Sequence, residues 1–342
     1  MFEQVGESVG LNWKLWLVLA TILVALLATL VWVLRMTHMP LKSFEGQFAP
    51  LSAEETETSQ RLSKHVQYIS KTVGERNLSR PGTLEATADY IKMSLEQAGY
   101  SVAEQSYSIQ NHQVLNLEAR LSGSDAGSET VVVGAHYDSV QGSPGANDNA
   151  SGVAAVLELA HLLRGFAPRK AIRFAFFVNE EPPYFQTESM GSVVYAKQLH
   201  ADRVPVSAMI SIETIGYYSD VLGSQKYPVL LGLLYPKRGN FIGFVGNPSS
   251  RNLLHAVVRR FRETTSFPSE AIAAPESWPG VGWSDHWSFW QENYPAVMVT
   301  DTALFRYPYY HTAQDTENRV DFARMSRVVW GVRQVVESLS AN

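Results

Sequence analysis

Five short polar segments of this chain contain the side chains that could do chemistry. In chain order they are His136-Tyr-Asp138, Gly145-Ala-Asn-Asp-Asn-Ala-Ser-Gly152, Asn179-Glu-Glu181, Glu213 and Tyr309-Tyr-His-Thr312. Their histidines and carboxylates can ligate metal ions or transfer protons. The sequence therefore indicates metal-assisted or acid–base chemistry, provided that the fold brings these segments together.

Taken one at a time, these residues have ordinary structural explanations. A histidine after a strand is more often hydrogen-bonded than metal-bound, and a pair such as Glu180 and Glu181 is usually part of a solvated loop. Asp148 could cap the helix that follows it. Together, however, the segments would place several carboxylates at one rim, which is costly in free energy unless cations neutralise them. The set as a whole therefore predicts a cation-binding site.

Apolar strands must carry these side chains to a common place. Predicted strands at 130–135, 171–178 and 206–212 end just before three of the segments, and a strand at 296–300 precedes the last one. The glycine-rich loop precedes a helix. Because ligands of open α/β sheets bind beyond the carboxyl ends of the strands, we expect all five segments at the same edge of one sheet.

Helices alternate with apolar strands over most of the chain. This alternation predicts an α/β three-layer sandwich with a mixed, largely parallel central sheet, mixed because the opening strands have no helix between them. The capping box Ser52-Ala-Glu-Glu55 opens the first helix of the body. The other predicted elements are strands at 102–109, 114–121 and 241–245, and helices at 52–73, 83–98, 151–164, 189–200, 250–264 and from 320.

The available donor atoms restrict the kind of metal site. The chain has no cysteine, so thiolate sites and disulfides are excluded. Two imidazoles and three carboxylates can give each of two zinc ions a histidine, a terminal carboxylate and a share of a bridging carboxylate. Two metal ions about 3.5–4 Å apart can activate a water and polarise a substrate carbonyl. A spare carboxylate would then serve as the general base.

The ordered motifs HYDS, GANDNASG, NEE, ET, SDH and YHT resemble those of a known family. They are similar to the di-zinc aminopeptidases, family 28 of metallopeptidase clan MH, whose relatives include bacterial leucyl aminopeptidases, glutamate carboxypeptidase II and the glutaminyl cyclases. The resemblance runs from about His65 to the end of the chain. It implies the zinc-exopeptidase, or phosphorylase/hydrolase-like, sandwich and hydrolysis of the first bond of a peptide with a free amino terminus.

The resemblance also implies how two zinc ions would be held. His136 and Glu213 would bind one zinc ion, Glu181 and His311 would bind the other, and Asp148 would bridge the two. The peptide bond that follows Asp148 would be cis. The family more often has aspartate where Glu213 stands, so the geometry of the first site is expected to differ from that of most relatives.

Three further residues receive roles from the same resemblance. Glu180 would be the general base and the later proton donor to the leaving amine, and Asp138 would orient His136 from behind. Asp285 matches a motif that lines the family's site. The aromatic group Trp278, Trp283, Trp287, Phe289 and Trp290 is more typical of a core, although part of it could form an apolar wall for a substrate side chain.

Three alternatives to an aminopeptidase stay open at this point. A glutaminyl cyclase would use a single zinc ion for acyl transfer, and the complete ligand set argues against it. A non-catalytic, receptor-like member of the fold would have lost its ligands. A carboxypeptidase would need a basic pocket for the substrate carboxylate, for which Arg173 and Arg306 are the candidates.

The N-terminal region predicts a membrane anchor. Residues 15–34 contain no charge and are long enough to cross a bilayer, with tryptophans near both ends. A cleaved signal peptide is the alternative, but its apolar core is usually shorter and an A-x-A site is missing. The expected organisation is a tail at 1–14, an anchor at 15–34, a connector at 35–50 and a zinc peptidase domain at 51–342.

Partners and location follow from the same features. We expect a single-pass membrane protein with its catalytic domain outside the cytoplasm and in contact with the lipid bilayer through the anchor. The net charge is -5, and without a basic stripe it does not favour a nucleic-acid partner. The sequence leaves the oligomeric state open.

Overall fold

A single helix and a larger α/β body make up the chain. The computed structural model describes residues 5–125 and 129–341. The first unit, Met1–His38, contains helix α1 (Val5–Thr37), and the second unit, Met39–Asn342, contains the remaining described elements.

Helix α1 is apolar along most of its length. Its residues Trp13–Thr37 are long and apolar enough to cross a membrane, and a signal sequence near the N-terminus meets the same description. At 1.5 Å per residue these 25 residues extend about 37 Å, somewhat more than a hydrocarbon core of about 30 Å.

One mixed sheet forms the centre of the body. Its described strands are β1 (Val102–Ile109), β2 (His112–Leu121), β3 (Thr130–His136), β4 (Ala171–Phe177), β5 (Val206–Glu213), β6 (Ile242–Gly246), β7 (Ser269–Ala273) and β8 (Ala296–Thr300). They are arranged in the order β1-β2-β4-β3-β5-β8-β6-β7. The central strands β4, β3, β5 and β8 are parallel, whereas β1, β2 and β6 pair antiparallel with their neighbours at three places.

Helices cover both faces of this sheet, which confirms the predicted three-layer α/β fold. They are α2 (Ala53–Gln67), α3 (Thr83–Gln97), α4 (Gly152–Leu163), α5 (Gly191–Ala201), α6 (Arg251–Thr264), α7 (His286–Gln291), α8 (Ala303–Arg306) and α9 (Phe322–Ala341). Shorter turns are π-helical at Tyr68–Val73 and Ala146–Ser151, and 3-10 helical at Val229–Leu233 and Glu317–Arg319. The helices α2, α4, α6 and α9 pack together, as do α5 and α7.

The central strands are buried on both faces. Every residue of β3 and of β8 is buried, which is why their sequences are continuous apolar runs rather than alternating ones. Burying such strands fixes the backbone at their ends, where the polar segments begin. The core therefore acts as a rigid support for the side chains that follow β3, β4 and β5.

The segment before α2 packs on the body. Arg262 donates hydrogen bonds to the carbonyl oxygens of Pro40 and Leu41, at 3.2 and 2.8 Å, and the Phe48 ring stacks on Phe267 with centroids 5.4 Å apart. The sequence predicts a connector at 35–50, whereas the compact unit already begins at Met39. The Arg262 contacts are made to backbone carbonyl oxygens, which every residue has, so the sequence does not predict them.

Local sequence signals determine several element ends. The Ser52 side chain accepts a hydrogen bond from the Glu55 N–H and the Glu55 carboxylate accepts one from the Ser52 N–H, which confirms the predicted capping box. Strand β7 and helix α7 are not predictable from the sequence. Both are short, with five and six residues, and neither shows the periodicity on which such predictions depend.

Candidate active site

Three neighbouring strands carry predicted residues to one edge of the sheet. His136 is the last residue of β3 and lies opposite Phe177 of β4, and Glu180 and Glu181 follow β4 after a two-residue step. Glu213 is the last residue of β5, which pairs with β3 on its other side. The parallel arrangement therefore places these side chains at the same carboxyl edge, as expected from the sequence.

Two groups of potential metal ligands meet at this edge. The first consists of His136, Asp148 and Glu213, and the second of Asp148, Glu181 and His311; in each group the ligand atoms lie within 4.8 Å of one another. The structure thus brings together all five residues that the sequence analysis nominated as ligands. Asp148 belongs to both groups and lies between them.

Within each group, the polar atoms of different side chains lie close together. His136 Nε2 lies 3.2 Å from Glu213 Oε2 and 3.4 Å from Asp148 Oδ1. His311 Nε2 lies 3.0 Å from Asp148 Oδ2 and 3.3 Å from Glu181 Oε2. The two oxygens of Asp148 therefore face different histidines, which is the arrangement that a bridging carboxylate requires.

The loop that carries Asp148 is held by a second aspartate. Asp315 accepts hydrogen bonds from the backbone N–H groups of Asn147 and Asp148, at 2.8 and 3.0 Å, and from the Tyr307 hydroxyl at 2.8 Å. The peptide bond between Asp148 and Asn149 is cis, as the resemblance implies. Asp315 was not among the nominated residues, since an aspartate four positions after a histidine is no recognisable signal.

Asp138 contacts both His136 and the segment that contains Glu180 and Glu181. Its Oδ1 lies 3.4 Å from His136 Nδ1, and its two oxygens accept the backbone N–H groups of Glu180 and Glu181, each at 3.1 Å. A carboxylate in this position favours the tautomer that presents Nε2 of the imidazole to the site. The same contact fixes the backbone from which the two glutamates project.

Glu180 differs from the other carboxylates because it belongs to neither ligand group. It is buried, with 6% of its surface exposed, and its Oε2 lies 3.9 Å from His136 Nε2. It is thus close to the ligand atoms without being one of them. A carboxylate in such a place can accept a proton from a group bound between the ligand sets.

Several buried polar atoms of the site lack a hydrogen-bond partner, and several of its carboxylates have raised pKa values. Both ring nitrogens of His136 and Oδ2 of Asp148 are buried without a hydrogen-bond partner. Burial raises the pKa of Glu180 and of Glu181 well above the ordinary value, and it raises the pKa of Glu213 as well. Burial outweighs the attraction of His136, which by itself would lower each of these three pKa values.

Charged neighbours, rather than burial, decide the pKa shifts of Asp148 and His136. Burial alone would raise the pKa of Asp148, but His136 and His311 outweigh it and lower that pKa. Burial alone would lower the pKa of His136, but Glu213 and Glu180 outweigh it and raise that pKa. Imidazole nitrogens and carboxylate oxygens arranged in this way suit zinc, so the residues present fit the metal that the resemblance implies.

Arg76 is a buried cation behind the site that the sequence analysis did not identify. It is fully buried, and its guanidinium donates to the carbonyl oxygens of Gly74, Tyr137, Pro144 and Gly145, at 2.5 to 3.0 Å. Burial lowers its pKa to about 10. Arg76 therefore ties the loop before Asp148 to the strand end at His136 through backbone contacts, for which a single arginine between two helices gives no sequence signal.

The SDH segment lies beside the first ligand group. The Ser284 hydroxyl donates a 2.8 Å hydrogen bond to Glu213 Oε2, and the adjacent Asp285 is fully buried, with a pKa that burial raises to about 7. His286 Nε2 lies 2.7 Å from the Val281 carbonyl oxygen, and His286 belongs to neither ligand group. Asp285 is thus near the site without joining either group, and Ser284 is the member of the motif that touches a nominated ligand.

A cavity opens next to the ligand groups. It encloses about 930 Å³, including the part open to solvent, and Glu213 and Tyr310 form its end at the site. Trp278 and Trp283 line it, whereas Phe289 and Trp290 are buried in the core. The aromatic group therefore divides between wall and core, as the sequence analysis allowed.

Comparisons with solved structures support the fold. The zinc aminopeptidase BSAP from Bacillus subtilis superposes with a TM-score of 0.68 at 15% identity, covering 83% of this chain and 95% of that chain. Tannerella forsythia glutaminyl cyclase gives a TM-score of 0.61 at 19% identity, covering 82% and 98%. At these identities the likeness concerns the fold alone.

Sequence comparisons extend the likeness to the site segments. "Uncharacterized protein YfbL" of Escherichia coli (strain K12) is 37% identical over 282 residues, which are 80% of this chain and 86% of that protein. A "Probable leucine aminopeptidase" of Arthroderma otae is 27% identical over 262 residues, 72% of this chain and 63% of that protein. The sequence model of Peptidase family M28 matches residues 116–336, which contain both ligand groups. The chain therefore belongs to peptidase family M28.

Proposed function

We propose that this M28 peptidase is a membrane-anchored, zinc-dependent aminopeptidase that hydrolyses the first bond of peptides with a free amino terminus. The observation that carries the proposal is the pair of ligand groups that share Asp148, with the buried Glu180 beside them and outside both. A ligand set of this kind provides two metal positions, and the remaining carboxylate supplies a base.

Each residue has a distinct role in this proposal. His136 and Glu213 would hold one zinc ion, Glu181 and His311 would hold the other, and Asp148 would contribute to both sites. When bound, two zinc ions lower the pKa of a water molecule and polarise the carbonyl of the scissile bond. The unpartnered buried Nε2 of His136 and the unpartnered Oδ2 of Asp148 support this assignment.

Glu180 moves the proton in the proposed reaction. It accepts a proton from the water whose oxygen attacks the scissile carbonyl carbon, and it returns this proton to the nitrogen of the departing peptide as the C–N bond breaks. Because Glu180 lies beside the ligand atoms and belongs to neither group, its carboxylate can hold the proton between these two events. Asp138 keeps both Glu180 and His136 in position through the contacts described above.

The surroundings of the site favour the amino end of a peptide. Among the residues lining the cavity that opens beside Glu213, none is a lysine or arginine that could bind a substrate carboxylate. Arg173 is engaged by Glu118 at 2.9 and 3.0 Å, and Arg306 by Gln225 at 2.8 Å and the Phe241 carbonyl oxygen at 2.8 Å. Neither of the two candidates for a carboxypeptidase pocket therefore faces the cavity.

The first experiment tests the reaction and the metal together. The full chain, purified in detergent, is assayed against aminoacyl nitroanilides and the same substrates with blocked amino groups, and bound metal is counted by mass spectrometry. We expect release from the free-amine substrates alone, about two zinc ions per chain, and loss of activity on chelation that added zinc restores. The blocked substrates serve as the control for amino-end specificity.

Other outcomes would point elsewhere. One zinc ion per chain with cyclisation of N-terminal glutaminyl peptides would identify a glutaminyl cyclase. Cleavage of blocked peptides from the carboxyl end would identify a carboxypeptidase. Absence of both metal and turnover would leave only a binding protein of this fold.

Residues 15–34 are proposed to remain on the mature chain as a membrane anchor, with the catalytic body outside the cytoplasm. The apolar helix is long enough to span, and its uncharged stretch exceeds a usual signal core. We expect the chain to stay in the membrane pellet after alkaline carbonate extraction, with the mass of the intact sequence, and protease added outside the cell to degrade the body. A soluble product that begins beyond residue 34 would instead identify a cleaved leader.

A further inference from the structure

The cavity beside the site contains a carboxylate at its far end. Glu213 and Glu270 are the two charged residues among those that line it, and the remaining lining side chains are mostly apolar or aromatic. Glu213 belongs to a ligand group, whereas Glu270 on β7 has no part in the mechanism proposed above. A lone carboxylate in an apolar cavity is costly unless a cation joins it.

Strand register places Glu270 in line with the site. Glu213 of β5 pairs with Thr300 of β8, Thr300 pairs with Gly243 of β6, and Gly243 pairs with Glu270 of β7. All four residues line the cavity, so this cross-strand row forms its floor. With strands about 4.8 Å apart, the row separates the backbones of Glu213 and Glu270 by about 14 Å.

Glycine keeps the middle of this floor open. A Cβ atom at Gly243 would lie 3.2 Å from the Thr300 carbonyl oxygen and 3.2 Å from Thr302 Cγ2. Any other residue at this position would therefore crowd Thr300 and Thr302, whereas glycine adds no side chain to the floor. The floor therefore offers a continuous path from the ligand groups to the Glu270 carboxylate.

Glu270 lacks a full counter-charge within the described chain. Arg262 is the nearby cation, but its guanidinium donates instead to Ser269 Oγ, to the Ser269 carbonyl oxygen, and to the carbonyl oxygens of Pro40 and Leu41. No ion pair to Glu270 is formed by the described residues, and burial raises its pKa to about 7, against the weaker opposing effects of Arg262 and a Ser43 hydrogen bond. The carboxylate is thus able to receive a cation from outside.

Aromatic walls lie next to the same end of the cavity. Tyr227 and Tyr235 stack with ring centroids 5.8 Å apart, and both line the cavity. The Tyr235 hydroxyl donates to the carbonyl oxygen of Ala271, the residue after Glu270, at 2.8 Å. The Tyr235 hydroxyl therefore already has a hydrogen-bond partner. The faces of the tyrosine rings favour contact with a long side chain that has an aliphatic part and a cationic end.

We propose that Glu270 selects substrates whose first residue has a cationic side chain, lysine or arginine. This inference rests on the proposed aminopeptidase function. An extended lysine side chain spans about 6 Å from Cα to its nitrogen, and polar contacts of about 3 Å at either end extend this reach to about 12 Å. That reach is comparable to the length of the floor, so the stem would lie over Gly243 and the cation would meet Glu270.

Turnover of matched substrates tests the inference on the full chain in detergent. Lysyl and norleucyl nitroanilides differ only in the ammonium group, so their ratio of kcat/KM isolates the contribution of the charge. We expect lysine to be preferred by at least about tenfold, and Glu270→Gln to lower kcat/KM for lysine by about tenfold or more without lowering it for norleucine. The control Glu45→Gln removes a neighbouring carboxylate that is exposed and outside the cavity, and it should keep the preference.

A binding measurement separates this inference from the proposed reaction. Calorimetric titration of L-lysine and L-norleucine into the full chain needs no turnover. Tighter binding of lysine that Glu270→Gln abolishes would support the inference even if every nitroanilide remained intact, in which case the proposed hydrolysis alone would fail. Equal binding of the two amino acids by the wild-type chain, or a preference for norleucine, would overturn the role of Glu270.

Discussion

Replacing Glu180 with glutamine is expected to lower kcat by about 10²–10⁴-fold while the metal content stays unchanged. Glutamine keeps the shape of the side chain, but it cannot accept the proton of the attacking water. Glu180 lies outside both ligand groups, and its Oε2 is 3.9 Å from His136 Nε2. The measurement is kcat and KM for the best free-amine substrate, with metal counted on the same preparation.

An exposed glutamate provides the matched control for this variant. Glu188 follows the same strand end, is exposed and pairs with Lys197 at the surface, so Glu188→Gln should leave kcat within about twofold. Undiminished turnover of Glu180→Gln would show that another group accepts the proton. Loss of metal along with turnover would show that Glu180 is a ligand rather than the base.

Replacing Asp148 with alanine is expected to remove both metal ions and nearly all activity. Its two oxygens lie 3.4 Å from His136 Nε2 and 3.0 Å from His311 Nε2, so one substitution affects both ligand groups. Each metal would keep only two protein ligands, fewer than the three that catalytic zinc sites normally have. Equilibrium dialysis against zinc measures the stoichiometry directly, and circular dichroism checks that the variant is folded.

Variants of the unshared ligands provide the comparison. Glu181→Ala and Glu213→Ala each affect a single group, so each should retain about one zinc ion per chain rather than none. If Asp148→Ala still binds two zinc ions, its bridging role is refuted. If all three variants bind one, the two sites are not linked through Asp148.

The strands and helices that hold the site could be predicted because their sequences are periodic or continuously apolar. The strands at 102–109 and 296–300 were predicted with the bounds that the structure has. His136 and Glu213 end buried parallel strands, and the edge at which such strands terminate is shared. Their proximity could therefore be derived from the sequence once the fold class was recognised.

Residues that act through backbone atoms could not be predicted in the same way. Arg76 donates hydrogen bonds to backbone carbonyl oxygens, and Asp315 accepts them from backbone N–H groups. Such contacts do not depend on the residue type of the partner, so the sequence does not reveal them. Strand β7 could not be predicted either, because its five residues, a serine and a glutamate followed by three apolar residues, give no clear period. The far end of the cavity, which includes Glu270, could therefore not be predicted from the sequence.

The buried guanidinium of Arg76 has a consequence for what counts as the minimal peptidase. All five nominated ligands fall within residues 116–336, the span that the family model matches, whereas Arg76 lies forty residues before it. A fragment cut to that span would keep every donor atom for zinc but would lose the cation that fastens the Gly145 turn to the strand end at Tyr137. The family model therefore marks out the residues that would bind zinc, but not every residue that holds them in place.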